Sequence, residues 1–239
     1  MPRNKDNGEG KIFSVSIVIP VFNEELTVGN IVNRTRKTLE KMGIIYEILV
    51  VDDGSTDCSS IVSKDMGARV LKVTHQGKGY ALRCGFNQAK GDLIITLDAD
   101  GSHQPEQIPL LVQKINEKEA DFIIGSRFLN SKSNKEKVPK INRIGNRLFN
   151  NLIGFLLGLK VSDSQSGFRA MNTLLIKKMK LNSFGYEVES EMLIKALRLG
   201  AKVMEIPIHF DQRTIGTSKL DPLLDGLRIL YAILRSYLR

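Results

Sequence analysis

Residues 92–106 read DLIITLDADGSHQPE. The apolar, β-branched run that opens this stretch predicts a buried strand over 92–97. It ends abruptly in two carboxylates, Asp98 and Asp100, with Ala99 between them. Like charges held that close repel, and without a cation nearby one of the pair tends to keep its proton. Such a pair at a strand tip suits a hard divalent cation, Mg²⁺ or Mn²⁺, which takes oxygen ligands and shares them with substrate phosphates. Alone, the pair also occurs by chance on solvated surfaces, so its context decides.

Working outward, the strand pattern recurs at 14–22 (SVSIVIPVF), 45–51 (IYEILVV), 69–73 (RVLKV) and 121–125 (DFIIG). Between these runs, helical spacing covers 24–43 through Leu26, Ile31, Thr35 and Leu39. Further helices are predicted over about 57–67, opened by Gly77-Lys78-Gly79 and running to about Ala89, and from Pro105 to about Lys118. This alternation with short connections predicts an α/β fold whose central sheet is mainly parallel and covered on both faces. In such sheets ligands bind beyond the carboxyl ends of the strands. Three acidic clusters fall there: Glu24-Glu25, Asp52-Asp53 and Asp98 with Asp100. In Val51-Asp52-Asp53-Gly54-Ser55 an acid can accept hydrogen bonds from base or ribose donors, while Gly and Ser relax the turn and cap the next helix.

The second half is less regular. Residues 141–159 place Ile141, Ile144, Leu148, Leu152, Phe155, Leu156 and Leu159 at three- and four-residue steps, with Arg143, Arg147, Asn150 and Asn151 largely off that stripe. The helix is amphipathic, and docks either on a membrane surface or on the protein's own core. A helix over 187–199 and a strand within 201–210 follow, and 220–239 is again amphipathic, with Leu223, Leu227, Leu230, Leu234 and Leu238 on one side.

The chain has 239 residues, 42% hydrophobic, enough for one large domain or two small ones. Its net charge of +9 points to an anionic partner. Between Arg127 and Arg147 stand seven basic residues and one acid, Glu136. No nucleic-acid reader motif accompanies this charge. Cys58 and Cys84 lack metal-ligand spacing, and the three histidines form no zinc signature. The polar start, MPRNKDNGEGK, does not read as a secretory signal, and no apolar run approaches the ~18–20 residues of a membrane span. Membrane contact is therefore expected to be peripheral, or supplied by a membrane-spanning partner subunit or by residues beyond this chain. Gly77-Lys78-Gly79 is neither a P-loop nor a dinucleotide fingerprint, and reads equally as a flexible helix entry or a phosphate contact.

The ordered set IPVFNEE, VVDDGSTD, LDADGSHQPE, GSRF, DSQSGFRA and RTIGTSKL resembles family 2 glycosyltransferases of the GT-A fold. More narrowly, it is similar to polyprenyl-phosphate hexose transferases of the dolichyl-phosphate mannose synthase type. The resemblance covers about 14–220. It implies a polar tail over 1–12, a catalytic domain over 13–219 and a terminal amphipathic helix over 220–239. Within the domain, 131–160 would be the acceptor and membrane-docking segment. Pro20, Phe22, Glu24, Val51 and Asp53 would line the nucleoside pocket. Asp98, Ala99 and Asp100 would meet the diphosphate and its Mg²⁺ or Mn²⁺, and Arg213 and Lys219 would close over the phosphates. Arg127, with Arg143 and Arg147, would receive the acceptor's phosphate. Synthases of this type often carry Asp-Ala-Asp-Leu-Gln, the glutamine being a further metal ligand; Gly101-Ser102 stands here, leaving Ser102 to ligate weakly or through water. Glu187 stands where a related synthase can carry a basic residue.

The reaction implied moves a hexose, from GDP-mannose or UDP-glucose, onto dolichyl or polyprenyl phosphate at the cytoplasmic face of a membrane. A phosphate acceptor is already anionic, so no general base is needed, whereas a hydroxyl acceptor normally uses one. Attack opposite the leaving group inverts the anomeric carbon. Two alternatives stand beside this reading: a non-processive transferase acting on a saccharide hydroxyl, and a catalytically silent nucleotide-sugar binder. The processive branch uses Gln-x-x-Arg-Trp, and the chain has no tryptophan. The acidic helix carrying Glu187, Glu189 and Glu191 is where a base, or contacts to sugar hydroxyls, would sit; Glu187 and Glu191 share one face.

Overall fold

The alternation of strands and helices is realised in a computed structural model that describes residues 14–129, 137–213, 215–216 and 219–238. The expected tail over 1–12 and the lysine-rich stretch 130–136 lie outside the described residues. The chain runs β1 (Ser14–Val21), α1 (Glu25–Met42), β2 (Ile45–Asp52), α2 (Ser59–Asp65), β3 (Arg69–Lys72), α3 (Lys78–Gln88) and β4 (Leu93–Thr96). A 3₁₀ turn (Pro105–Gln107) leads into α4 (Ile108–Asn116), followed by β5 (Phe122–Ser126), α5 (Lys140–Leu157), β6 (Arg169–Asn172), α6 (Thr173–Met179), α7 (Val188–Arg198), β7 (Val203–Pro207) and α8 (Leu224–Leu238).

The sheet order is β3-β2-β1-β4-β6-β5-β7. Pairing is parallel throughout except at β6, which runs antiparallel to both β4 and β5. Like helix α6 after it, strand β6 is an element that the sequence pattern does not predict. It is four residues long, RAMN, and its first side chain is a buried arginine, so neither length nor polarity marks it as a strand.

Both faces of the sheet are covered, for a reason visible in β1. Successive side chains of a strand point to opposite faces. Val15, Ile17, Ile19 and Val21 pack with Val28, Ile31, Val32 and Leu39 of α1 and with Leu111 and Ile115 of α4. Val18 packs on the other side with Ala81, Leu82 and Phe86 of α3 and with Met192 and Leu193 of α7. Burial of each such side chain contributes about 1.5–3 kcal/mol as an upper estimate.

Helices α5 and α8 depart from this pattern. Asn146 and Asn150, not the leucines, are among the buried residues of α5. Ile141, Ile144, Leu148 and Phe155 face outward, Phe155 being 86% exposed. Helix α8 packs on α7 and α5 through a buried side that includes Ile229, Ala232 and Ile233. Asp221 caps its start, Oδ1 accepting from the backbone N–H of Leu223 and Leu224. Arg198 donates to the carbonyls of Ser236 and Tyr237 at its end, where a cation suits the helix dipole.

Candidate active site

The carboxyl ends of β1, β2 and β4 open into a cavity of about 950 Å³. Pro20, Phe22 and Glu24 line it after β1, Asp53 after β2, and Asp98, Ala99 and Asp100 after β4. Arg213 and Lys219 line it from the later part of the chain. The fold thus brings together most of the residues predicted for the donor, although they are scattered over nearly two hundred positions. Val51 is the exception: it is fully buried in the core beneath α3 and is not among the lining residues.

Each acid of the Asp-x-Asp pair meets a cation from the protein itself. Lys78 Nζ lies 2.7 Å from Asp98 Oδ1 and 2.8 Å from Glu189 Oε1. Burial alone would push the Asp98 carboxyl up; Lys78, with His103, overrides it and brings it down to about 2. Burial likewise opposes the Lys78 charge, and Asp98 and Glu189 outweigh it, holding the ammonium well above its usual range. Asp100 Oδ2 lies 3.8 Å from Arg213 Nη1. Its Oδ1 accepts from the backbone N–H (3.0 Å) and the hydroxyl (2.6 Å) of Ser102.

Lys78 is a cavity residue that reading the sequence left undecided, and the geometry around it explains Gly77-Lys78-Gly79. Gly77 has φ +107, and a Cβ there would sit 2.6 Å from the carbonyl oxygen of Phe184. A Cβ at Gly79 would sit 2.7 Å from that of Ser183. The two glycines let the 182–185 turn cross the start of α3, and the lysine between them enters the site. Gly167, in DSQSGFRA, is needed for another close approach, because a Cβ there would overlap the Asp98 carboxylate.

The donor end is occupied by side chains of the chain itself. Asp53 accepts from the backbone N–H of Gln76 (3.0 Å) and Gly77 (2.9 Å), and lies 2.8 Å from His75 Nδ1. That turn stacks His75 on Phe22, ring centroids 4.1 Å apart. Lys219 Nζ sits 4.7 Å from the same Phe22 ring. Glu24 Oε1 receives Arg213 Nη2 at 2.5 Å and has Lys219 Nζ at 3.7 Å. Both cations predicted for the diphosphate are thus held on a carboxylate at the edge of the cavity.

The arginines predicted for the acceptor are placed differently. Arg127 does not line the cavity. Its Nε and Nη2 donate to the Asp163 carboxylate at 2.7 and 2.8 Å, in a bidentate pair. Burial opposes its charge, and Asp163 overrides this to keep the guanidinium above its usual range. Asn146 of α5 donates to the same carboxylate, so α5 and Arg127 share an anchor. Arg143 and Arg147 are on α5, outside the cavity.

The acidic helix divides its carboxylates. Glu191 accepts from the backbone N–H of Asn182 and Ser183 and from Lys195. Glu189 is buried against Lys78. Glu187 Oε1 accepts from the N–H of Phe184 and Gly185, while its buried Oε2 has no hydrogen-bond partner among the described residues, and the residue lines the cavity.

For a divalent cation, no group of three or more His, Cys, Asp or Glu side chains is gathered among the described residues. The donor set is two carboxylates, with Asp100 turned to the cavity and Asp98 shared with Lys78. This fits Mg²⁺ or Mn²⁺, which use one or two carboxylates and complete their shell with water and substrate phosphates. Ser102 does not line the cavity, and its hydroxyl is turned onto Asp100.

The sequence profile of glycosyl transferase family 2 matches residues 16–179, well over half of the chain. The chain belongs to glycosyl transferase family 2. An uncharacterized protein of Methanocaldococcus jannaschii is 36% identical to it over 92% of this chain and 90% of that one. A dolichol-phosphate mannosyltransferase of Pyrococcus furiosus is 30% identical over 92% of this chain. The chain spans 64% of that relative's length. Among solved structures, glucosyl-3-phosphoglycerate synthase from Mycobacterium tuberculosis, in complex with Mn²⁺, uridine diphosphate and phosphoglyceric acid, superposes with a TM-score of 0.74 at 24% identity, covering 94% of this chain and 79% of that one. The family 2 transferase therefore has the GT-A architecture: α/β, with a mainly parallel central sheet interrupted by one reversed strand.

Proposed function

We propose that the chain transfers a hexose from a nucleotide sugar to a polyprenyl phosphate, with inversion at the anomeric carbon. The observation that carries this reading is the cavity at the strand ends, which Asp98 and Asp100 line together with Arg213 and Lys219, Arg213 being 3.8 Å from Asp100. An acid pair opposed by two cations is a site for a nucleoside diphosphate. A Mg²⁺ or Mn²⁺ held by Asp100 and Asp98 would offset the charge of the leaving diphosphate. Arg213 and Lys219 would move from Glu24 onto the phosphates, exchanging one anion for another, and stabilise the charge that grows there as the sugar departs. Lys78 holds Asp98 ionised throughout. The support for a lipid-phosphate acceptor is the dolichol-phosphate mannosyltransferase relative, together with the engagement of Glu189 and Glu191 in ion pairs. An acceptor that arrives ionised needs no base.

One observation favours a second reading. The unpartnered Glu187 Oε2 suits a sugar hydroxyl of the donor, and equally a base for a hydroxyl acceptor. Incubating the protein with Mn²⁺, radiolabelled GDP-mannose or UDP-glucose, and both dolichyl phosphate and a panel of saccharide acceptors separates the two. Label entering the organic phase is the expected result. Label passing only to a saccharide, and lost in Glu187→Gln, would replace the lipid reading with the second one.

No described helix is long and apolar enough to cross a membrane. The chain would instead work at the cytoplasmic face of a membrane, docked by the outward stripe of α5, with Arg143 and Arg147 on the same helix. Partitioning onto vesicles containing phosphatidylglycerol is expected to fall with added salt. The pair Leu148→Asp and Phe155→Asp should lower it at least tenfold, since burying each apolar side chain is worth about 1.5–3 kcal/mol. Partitioning that survives both substitutions and high salt would remove α5 as the docking element, and no partitioning of the unaltered chain would remove the membrane from the reading.

A further inference from the structure

Behind the acid pair stands a histidine that the cavity does not reach. His103 is 1% exposed and is not among the lining residues. Its ring sits between two phenyl rings, with centroids 5.6 Å from Phe168 and 5.4 Å from Phe210. Neither ring nitrogen has a hydrogen-bond partner among the described residues. Burying polar atoms unpaired costs stability. A phenyl ring would fill a niche walled by Phe168 and Phe210 without that cost, so the imidazole needs a reason beyond packing. One nitrogen has an acceptor almost in reach: Nδ1 lies 3.6 Å from Asp98 Oδ2, just past hydrogen-bonding distance. Gly167 makes room for that oxygen, since a Cβ there would overlap it. The backbone holds the ring in place. His103 forms a β-bridge with Phe210, and the Ser102 carbonyl accepts from the N–H of Asp211 at 2.8 Å. A small turn of the Asp98 carboxylate closes the gap.

We propose that His103 is a positioning residue for the divalent cation: its Nδ1–H donates to Asp98 Oδ2 while Lys78 holds Oδ1, so that the carboxylate is fixed from both sides where it meets the metal. This rests on the metal role given to Asp98 in the proposed reaction. It requires no particular charge on the ring, because an imidazole carries at least one N–H whether neutral or protonated. Nor does it exhaust the carboxylate, whose two oxygens offer about four lone-pair sites. Carboxylates that ligate a metal are themselves held by hydrogen bonds, and loss of such a partner typically costs about 10–100-fold in metal affinity. Asp100 is held in this way by the N–H and hydroxyl of Ser102. The neighbours Ser102 and His103 thus serve one acid each.

Mn²⁺ titrated against the whole chain with UDP or GDP, read by electron paramagnetic resonance, tests the role. H103F keeps an aromatic ring between Phe168 and Phe210 and removes the N–H. Its Mn²⁺ affinity should fall at least about tenfold, while it unfolds at or above the wild-type temperature. H103N keeps an amide N–H near the place of Nδ1 and gives up the ring. It should unfold at a lower temperature yet bind Mn²⁺ more tightly than H103F. A residue that only packs would give the opposite order, with metal affinity following stability. Mn²⁺ affinity in H103F within twofold of wild type, or affinity in H103N no better than in H103F, would each overturn the role. A second measurement needs no variant. The ¹⁵N spectrum of the unaltered, metal-free chain should show a proton on Nδ1 of His103; a ring protonated at Nε2 alone would overturn the role as well. The metal reading fails differently. Unaltered protein that binds no Mn²⁺ with either nucleotide removes the metal role of Asp98 and the positioning role with it. Mn²⁺ binding that ignores H103F removes the positioning role and leaves the metal.

Discussion

Asp100→Asn is expected to lower turnover by roughly three orders of magnitude, about 4 kcal/mol of transition-state stabilisation, and to remove Mn²⁺-dependent binding of the donor. Asparagine is the sharper substitution because Asp100 has two duties. Its Oδ1 accepts from the backbone N–H and hydroxyl of Ser102, which an amide oxygen can still do. Its Oδ2 faces the cavity and Arg213, and only a carboxylate supplies charge there. The variant should therefore unfold at nearly the wild-type temperature while losing its metal affinity. Asp100→Ala should lose both the metal and the turn around Ser102. Titrating Mn²⁺ against protein with and without nucleoside diphosphate, by electron paramagnetic resonance, reads the metal directly. Unchanged Mn²⁺ binding in Asp100→Asn would remove the metal role of this carboxylate, and wild-type turnover would remove its catalytic one.

Lys78→Met is expected to be the most destabilising single change in the site, by about 3–5 kcal/mol. It leaves Asp98 and Glu189 facing one another without the cation that separates them. Glu189 is 2% exposed, and among the described residues only Lys78 pairs with its carboxylate, so burial leaves it without solvent to take over. The double variant K78M/E189M removes the buried charges together and should recover much of the loss, which a urea-denaturation cycle would show as strong coupling between the two positions. Acid sensitivity gives an independent readout. The folded Asp98 carboxyl is held at about 2, below its ordinary 3.8, so the unfolded chain takes up the proton first. Its contribution to stability is complete above about pH 4 and is lost as pH falls toward 2. Without Lys78 the largest group that opposes burial is gone, leaving His103 and Arg127, so that carboxyl should rise and this acid-sensitive contribution should shrink in Lys78→Met. A K78M protein as stable as wild type, with an unchanged acid limb, would mean that Lys78 is solvated rather than built into the site.

The sequence by itself determined the parallel strands of the sheet, its covered faces and the positions of the acids, but not the reversed strand β6. Strand and helix periodicities are local, and a run such as Ile17-Val18-Ile19 buries both its faces wherever it lies. Acids placed just past such runs then fall at the carboxyl edge, where the cavity is found. The ordered motifs likewise carried the family, because an ordered set is far more specific than any one of its members. Partners were a different matter, since an ion pair depends on distance through space and leaves no period in the chain. Only the tertiary structure decided that Lys78 meets Asp98 and Glu189, that Asp163 holds Arg127, and that Val51 turns into the core instead of the cavity. It also decided which side of each amphipathic helix turns inward. In α5 two asparagines bond the 162–164 segment, and Ile141, Ile144, Leu148 and Phe155 of the apolar stripe are left facing out while Leu152 and Leu156 pack on the core, because the backbone groups and Asp163 there require polar partners that leucine cannot supply.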